Sequence, residues 1–397
     1  MKANKRLLIV QYAGDYRETF KQIRENGIET YHAQKYVIDS ISHISQEIEE
    51  AILLCCRTKE KYNTLLQHRI RAVGAATEPF KHTSEICQII SECNPTHLVV
   101  HSPIPGIFSW AIKNRVKTMA LFADSFLQRG LRNRIKNFFL AAKLNNRHVE
   151  WVGNHGVNSC LSLQNIGVNP NKIIPWDWPH FNTPSELAPK TLPLTDVWNL
   201  VYVGAVAPSK GVGEILEALA ILRDKNISAK LHIAGQGDID YFINKSKQLG
   251  IENNINFLGL VPHNEVIDLM RQAHLVIVPS WHEYSEGLPL TIYEALCART
   301  PLIASDHPMF RKNLLNGVSA IIFPARDSQM LANSITKLLS NPELYYSLSC
   351  ASLEAWKQLQ LPVKWADLIY TWLNNSQQDT NWLYDHNLTS GHYKYWQ

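Results

Sequence analysis

The sequence predicts an α/β chain of two doubly wound, parallel-sheet domains facing a cleft, and three observations carry that prediction. At 397 residues the chain exceeds the size at which a single core stops growing, so two cores are expected. Short apolar runs rich in β-branched residues alternate with longer amphipathic stretches, as in a parallel sheet with crossover helices. A proline-rich, aperiodic stretch at 182–193 interrupts the alternation and is expected to link the domains. The expected boundaries are 1–190, 197–360 and a terminal segment, 361–397, holding an amphipathic helix and a polar, aromatic tail without an assignable role.

The first domain opens with a strand over 7–11. The turn after it carries Gly14, Asp15 and Arg17 and leads into a helix containing Phe20 and Ile23. Further strands are expected over 51–56, 97–101 and 117–122, and helices over 33–50, 80–92 and 130–144. Repeated strand, turn and helix build a Rossmann-like domain. In the second domain, strands are expected over 200–204, 231–234, 255–259, 274–279, 300–306 and 321–324. Several end in glycine or proline turns, at Gly204, Gly235 and Pro262, where a ligand can approach the backbone.

Composition bounds the partners. Hydrophobic residues make up 45% of the chain, as in a globular protein, and the net charge of +4 falls short of a nucleic-acid signature while suiting an anionic ligand. No apolar run reaches the length of a membrane span, and the first six residues are followed by too few apolar ones for a signal peptide. A cytoplasmic protein is therefore expected, with peripheral contact at the inner face of the membrane as an extension. The 7 cysteines show no Cys-x-x-Cys spacing, so reduced side chains are expected and no metal site is called.

Chemistry concentrates in Ser285-Glu286-Gly287-Leu288-Pro289-Leu290 and the residues after it. Pro289 suits the start of a helix, which places Glu286 in a loop and Glu294 about one turn into the helix. Two carboxylates there can hold neighbouring hydroxyls, while the free N–H groups around Leu288 and Leu290 attract phosphate oxygens. The spacing alone also arises by chance, with Glu294 on a solvated face.

Taken with Pro279-Ser280 before it, the segment resembles the Glu-x7-Glu signature of glycosyltransferase family four. Val203-Gly204 running to Lys210-Gly211 is similar to that family's Gly-Arg-Leu-x-x-x-Lys-Gly loop, and the landmarks follow in family order from about Leu200 to Pro324. The resemblance implies a GT-B fold whose last helix crosses back to the first domain. It implies a retaining hexosyltransferase that uses a nucleoside diphosphate sugar and needs no metal. Glu294 would hold the ribose, Glu286 a hydroxyl of the donor sugar and Lys210 the diphosphate, with Gly287, Leu288, Leu290, Gly204, Gly235 and Pro262 lining the donor site. Two departures stand out: Ala205 replaces the usual arginine, and Ala123 lies near the place of a usual histidine, with Asp124 beside it to cover part of that role.

The acceptor side is less defined. Gly14, Asp15, Arg17 and His101 lie at strand ends, where either a ligand loop or an ordinary turn fits. Residues 129–144 combine an apolar face with Arg132, Lys136 and Lys143; such a helix either covers the sheet or lies on anionic lipid. Trp176 and Trp178 either stack on sugar or pack in the core. The acceptor is expected to be a carbohydrate, a lipid-linked sugar or a small hydroxyl compound. Two rival readings are a sugar-nucleotide epimerase and a binding protein that has lost catalysis. A dehydrogenase is disfavoured, since no Gly-x-Gly-x-x-Gly follows the first strand.

Overall fold

The computed structural model describes residues 4–27, 29, 33–128 and 130–396. They form two compact units. Unit 1 comprises Met1–Pro179 together with Leu361–Gln397, and unit 2 is His180–Gln360.

Unit 1 runs β1 (Arg6–Gln11), α1 (Tyr16–Asn26), α2 (Gln34–Ile44), β2 (Glu50–Cys55), β3 (Tyr62–Gln67), β4 (Ile70–Gly74), α3 (Thr83–Cys93), β5 (His97–Val100), α4 (Pro105–Lys113), β6 (Lys117–Phe122), α5 (Leu131–Leu144), β7 (Val149–His155), α6 (Val157–Asn165) and β8 (Ile173–Trp176). The strand order is β3-β4-β2-β1-β5-β6-β7-β8; β3 pairs antiparallel with β4 and the remaining pairings are parallel. Successive side chains of β1 point to opposite faces. Leu8 and Val10 pack with α3, α4, α5 and α6, and Leu7 and Ile9 with α1 and α2.

Unit 2 runs β9 (Trp198–Val203), α7 (Val212–Asp224), β10 (Ala229–Ala234), α8 (Ile239–Gln248), β11 (Ile255–Gly259), α9 (His263–Gln272), β12 (Leu275–Val278), α10 (Leu290–Cys297), β13 (Leu302–Ser305), β14 (Ile321–Phe323), α11 (Ser328–Leu339) and α12 (Pro342–Leu359). Its parallel sheet is ordered β11-β10-β9-β12-β13-β14. Two apolar clusters fill its faces, one under α7 and α11, the other under α9 and α10. The proline-rich 182–193 stretch lies inside this unit. Lys190 donates through Nζ to the Arg271 carbonyl at 2.6 Å and also to that of Ala273. Burial, with Arg271 nearby, brings its pKa down to about 8.

The chain then returns to unit 1 as α13 (Trp365–Asn374) and α14 (Gln377–Asp385). Trp365, Leu368, Ile369 and Trp372 of α13 join the cluster on the α1 and α2 face. The tail after Asn375 is ordered rather than featureless: Ser376 and Asp379 form a capping box that starts α14, which satisfies two first-turn N–H groups.

Three sequence expectations differ in detail. The helix expected over 33–50 ends at Ile44, because Glu49 N–H is already bonded to the Lys5 carbonyl and Glu50 pairs with Arg6 at 3.0 Å, drawing this segment into the sheet. The β3–β4 hairpin was not expected, since β3 is an edge strand with no apolar run. Strand β7 was missed because Glu150, Asn154 and His155 break its apolar pattern.

Candidate functional site

The loops leaving β9, β10 and β12 are drawn together by backbone contacts that leave no room for side chains. A Cβ on Gly235 would lie 1.8 Å from the Gly204 carbonyl oxygen, and one on Gly237 would lie 2.2 Å from that of Val206. Gly211, at φ 75°, brings the β9 loop against the exit of β12, where a Cβ would meet the Pro279 carbonyl at 2.2 Å. Trp281 N–H closes the same contact by donating to Ser209 at 2.9 Å. Glycine is demanded at these positions by close approach as well as by φ.

This clamp sets Lys210 beside Glu286. The Lys210 ammonium pairs with Glu286 Oε1 and sits 4.2 Å above the Tyr284 ring centroid. Ser280 Oγ donates to the same carboxylate oxygen at 2.8 Å, and Ser305 Oγ fixes Ser280 by donating to its carbonyl at 2.6 Å. Glu286 is 7% exposed, so the pair is worth more than a surface ion pair and removal of either partner leaves a costly buried charge.

Helix α10 begins at Leu290 with Pro289 as its N-cap, and Glu286 stays in the loop before it. Glu294 lies one turn in, with Oε1 3.3 Å from His263 Nδ1. Pro262 is the N-cap of α9 and turns the chain so that His263 reaches Glu294. Gly287 and Leu288 are buried between the two carboxylates. A site with two carboxylates, a lysine and a helix start can hold hydroxyls and offset phosphate charge together.

Several neighbours were not singled out from the sequence. His282 Nε2 and Asp306 Oδ1 are 2.6 Å apart. Burial would raise the Asp306 pKa, but the Ala325 N–H and His282 outweigh it and hold the carboxyl below the usual range. Buried His307 bonds the Tyr284 carbonyl at 3.1 Å. Trp281 donates to Glu214 at 2.9 Å, and burial pushes the Glu214 carboxyl above its ordinary range. Each pair joins residues far apart in sequence, so no local spacing announces it.

In unit 1 the candidates occupy the carboxyl ends of the adjacent strands β1, β5 and β6, and most have structural partners. Asp15 caps α1 by accepting from Arg17 N–H at 3.0 Å and also accepts from Tyr62 Oη at 2.5 Å. Arg17 pairs with Glu60 at 2.9 Å and covers the Tyr62 ring. Gly14, at φ 93°, is exposed with open space around it. His101 Nε2 accepts from Trp365 Nε1–H at 3.3 Å, and burial lowers its pKa to about 4. Asp124 is half-buried, its backbone held on both sides by the Asn154 amide at 3.1 and 2.8 Å.

Trp176 and Trp178 take the packing role. Trp176 is 1% exposed and donates to the Phe122 carbonyl at 3.1 Å, and Trp178 stacks on Trp365. Of the 129–144 segment, Arg129 lies outside the described residues. In α5, Leu140, Ala141 and Leu144 are buried, whereas Leu131 and Phe138 are 74% and 66% exposed. No helix among the described residues is long and apolar enough to cross a membrane, and among them no group of three or more His, Cys, Asp and Glu side chains is placed to hold a metal ion.

Residues 185–352 match the family model described as glycosyl transferases group 1. Among curated relatives, glycogen synthase of Mycobacterium tuberculosis is 30% identical over 151 residues, covering 38% of this chain and 36% of that protein; the chain thus matches little more than a third of that relative's length. Among solved structures, WaaG, a glycosyltransferase involved in lipopolysaccharide biosynthesis, superposes with TM-score 0.67 at 14% identity, over 93% of this chain and 100% of that one. Anabaena HepE in complex with UDP-glucose gives TM-score 0.65 at 14% identity, over 96% and 99%. The fold is therefore two parallel-sheet α/β domains of the kind found in GT-B glycosyltransferases, and the family match falls within unit 2.

Proposed function

We propose that the protein is a retaining glycosyltransferase that binds a nucleoside diphosphate sugar on unit 2 and passes the sugar to a hydroxyl acceptor in glycan biosynthesis. The observation that carries this reading is the buried Glu286–Lys210 pair beside Glu294 and the α10 start, all within the segment matched by the family model. Glu294 takes the ribose hydroxyls in place of His263, Glu286 takes a hydroxyl of the sugar, and Lys210 moves to the diphosphate. The acceptor oxygen bonds to the anomeric carbon as the bond from that carbon to the diphosphate oxygen breaks, and the acceptor proton passes to a phosphate oxygen. Charge gathers on the leaving diphosphate, where Lys210 and the first-turn N–H groups of α10 offset it. This scheme calls for no metal. On the acceptor side the candidate is Asp124, which follows the carboxyl end of β6.

The structure of HepE with UDP-glucose supports a nucleotide-sugar donor in this fold. Contact with an anionic membrane, and with it a lipid-linked acceptor, is supported by α5. Its exposed half carries Leu131, Ile135, Phe138 and Phe139 among Arg132, Arg134 and Lys136, and the helix has no acidic residue.

A thermal-shift screen against UDP, GDP, ADP and dTDP, with their sugar derivatives, tests the donor. One nucleotide is expected to raise Tm by mass action and to lose its effect in Glu294→Ala. Release of nucleoside diphosphate that depends on an acceptor separates a transferase from an epimerase, which alters the sugar without releasing diphosphate. Nucleotide binding with neither diphosphate release nor a change in the sugar would favour a binding protein that has lost catalysis. NMR of the product's anomeric configuration tests retention.

A further inference from the structure

Trp281, in the loop between β12 and α10, is tied to three distant segments. Its backbone N–H donates to the Ser209 carbonyl at 2.9 Å, its indole Nε1–H donates to Glu214 Oε1 at 2.9 Å, and its ring centroid lies 4.1 Å from the Arg326 guanidinium carbon. Arg326 returns to the same loop by pairing with Glu283 at 3.0 Å. Ser209 and Glu214 flank Lys210 in the chain, so Trp281 grips the segment on both sides of that lysine. The loop then supplies Tyr284 and Glu286, the ring and the carboxylate against which the Lys210 ammonium sits.

Glu214 stands where stability alone does not call for a carboxylate. It lies in the first turn of α7 and is 8% exposed. Its Oε2 is buried and makes no hydrogen bond to a described residue. A helix start favours an acidic side chain, but an exposed one gains that without losing its water. A buried carboxyl bonded to one indole costs more than an apolar side chain of similar size would. Neighbouring charges do little to offset this, since Glu217 on the same helix repels it and Lys245 of α8 is paired with Glu217 at 2.7 Å.

The far side of the loop is held separately. His282 reaches Asp306, and His307 bonds the Tyr284 carbonyl, both just after β13. On the α7 side the side-chain tie is the Trp281 indole, and Glu214 is its acceptor.

We propose that Glu214 is a positioning residue: through the Trp281 indole it fixes the 281–286 loop against the Lys210 turn, and so sets where the cation and the Glu286 carboxylate meet a ligand. The effect on the loop stands by itself, and its effect on turnover rests on the transferase reading.

Two measurements on the full chain test this without a substrate: hydrogen exchange of the 279–288 segment, read by mass spectrometry, and the rate at which acetic anhydride acylates Lys210 relative to the other lysines. Glu214→Leu removes the acceptor, Trp281→Phe removes the indole N–H while keeping a ring for Arg326, and Glu214→Gln keeps an accepting oxygen. In the first two variants, exchange in 279–288 and acylation of Lys210 are expected to rise about tenfold with exchange elsewhere in unit 2 unchanged. The double variant Glu214→Leu/Trp281→Phe is expected to go no further than either alone, and Glu214→Gln to stay near wild type. Release of UDP from UDP-glucose is expected to follow the same order, with kcat down about tenfold and KM little changed. Loop exchange and Lys210 acylation in Glu214→Leu that match wild type, or exchange that rises throughout unit 2, would overturn the positioning role. Loosening confined to the loop with kcat unchanged would overturn its bearing on the reaction. The same loosening in a protein that no nucleotide stabilises and that releases no UDP would keep the positioning role and remove the transferase reading.

Discussion

Units 1 and 2 share a parallel sheet with helices on both faces, yet their strand-end loops are used differently. In unit 2 the loops are locked together through glycines, so that Lys210 meets Glu286 in the loop before α10, and Glu294 on that helix meets His263. In unit 1 the comparable polar residues are absorbed by the fold: Asp15 caps α1, Arg17 pairs with Glu60, and His101 is covered by Trp365 of the returning helix. A shared architecture therefore leaves one unit with a preorganised charged site and the other with loops tied to their own helices. Function has to be argued from such sites, since the fold alone supports many.

The comparison breaks most clearly at Glu286. Glu286→Ala is expected to lower kcat by about 100- to 1,000-fold, because it removes a contact to the sugar and strands Lys210 in a buried place; assay of diphosphate release checks it, and near-normal turnover would detach Glu286 from the chemistry. Glycines give the next contrast. Gly235→Ala forces a Cβ onto the Gly204 carbonyl and is expected to cost about 3 kcal/mol. Gly14→Ala in unit 1 meets open space and is expected to cost only about 1 kcal/mol of backbone strain. Urea midpoints of the two variants test the difference.

A pH dependence belongs to unit 1. Burial, with Lys117 and Lys5 nearby, lowers the pKa of His97 from 6.5 to about 4. The folded state thus favours neutral imidazole, so the stability that this group contributes is present above pH 6.5 and is lost as pH falls towards 4. Between pH 7 and pH 5 the His97 share of the loss is expected to be about 2 kcal/mol, read as the difference in pH dependence between wild-type and His97→Gln denaturation midpoints, with the buried His101 contributing separately.

How much of this was legible follows the same divide. β6 matched its expected bounds, and the start of α10 and the loop placement of Glu286 followed from Pro289 and the apolar run before it. Those signals are local. Strand β3 stayed hidden because an edge strand needs no apolar run, and α2 was drawn too long because pairing with β1, a distant segment, ends it. The His263–Glu294 contact depends on how α9 and α10 are set by neighbouring strands, which sequence spacing does not encode. In unit 1 the strand-end residues could be listed, but their partners Trp365 and Glu60 could not.

The most direct measurement is calorimetric titration of the stabilising nucleotide into wild type, Glu294→Ala and Arg17→Ala. With the donor held by unit 2, Glu294→Ala is expected to weaken binding about tenfold, equivalent to about 1.4 kcal/mol, while Arg17→Ala binds as wild type does. Nucleotide affinity that survives in Glu294→Ala and falls in Arg17→Ala would contradict the assignment of the donor to unit 2.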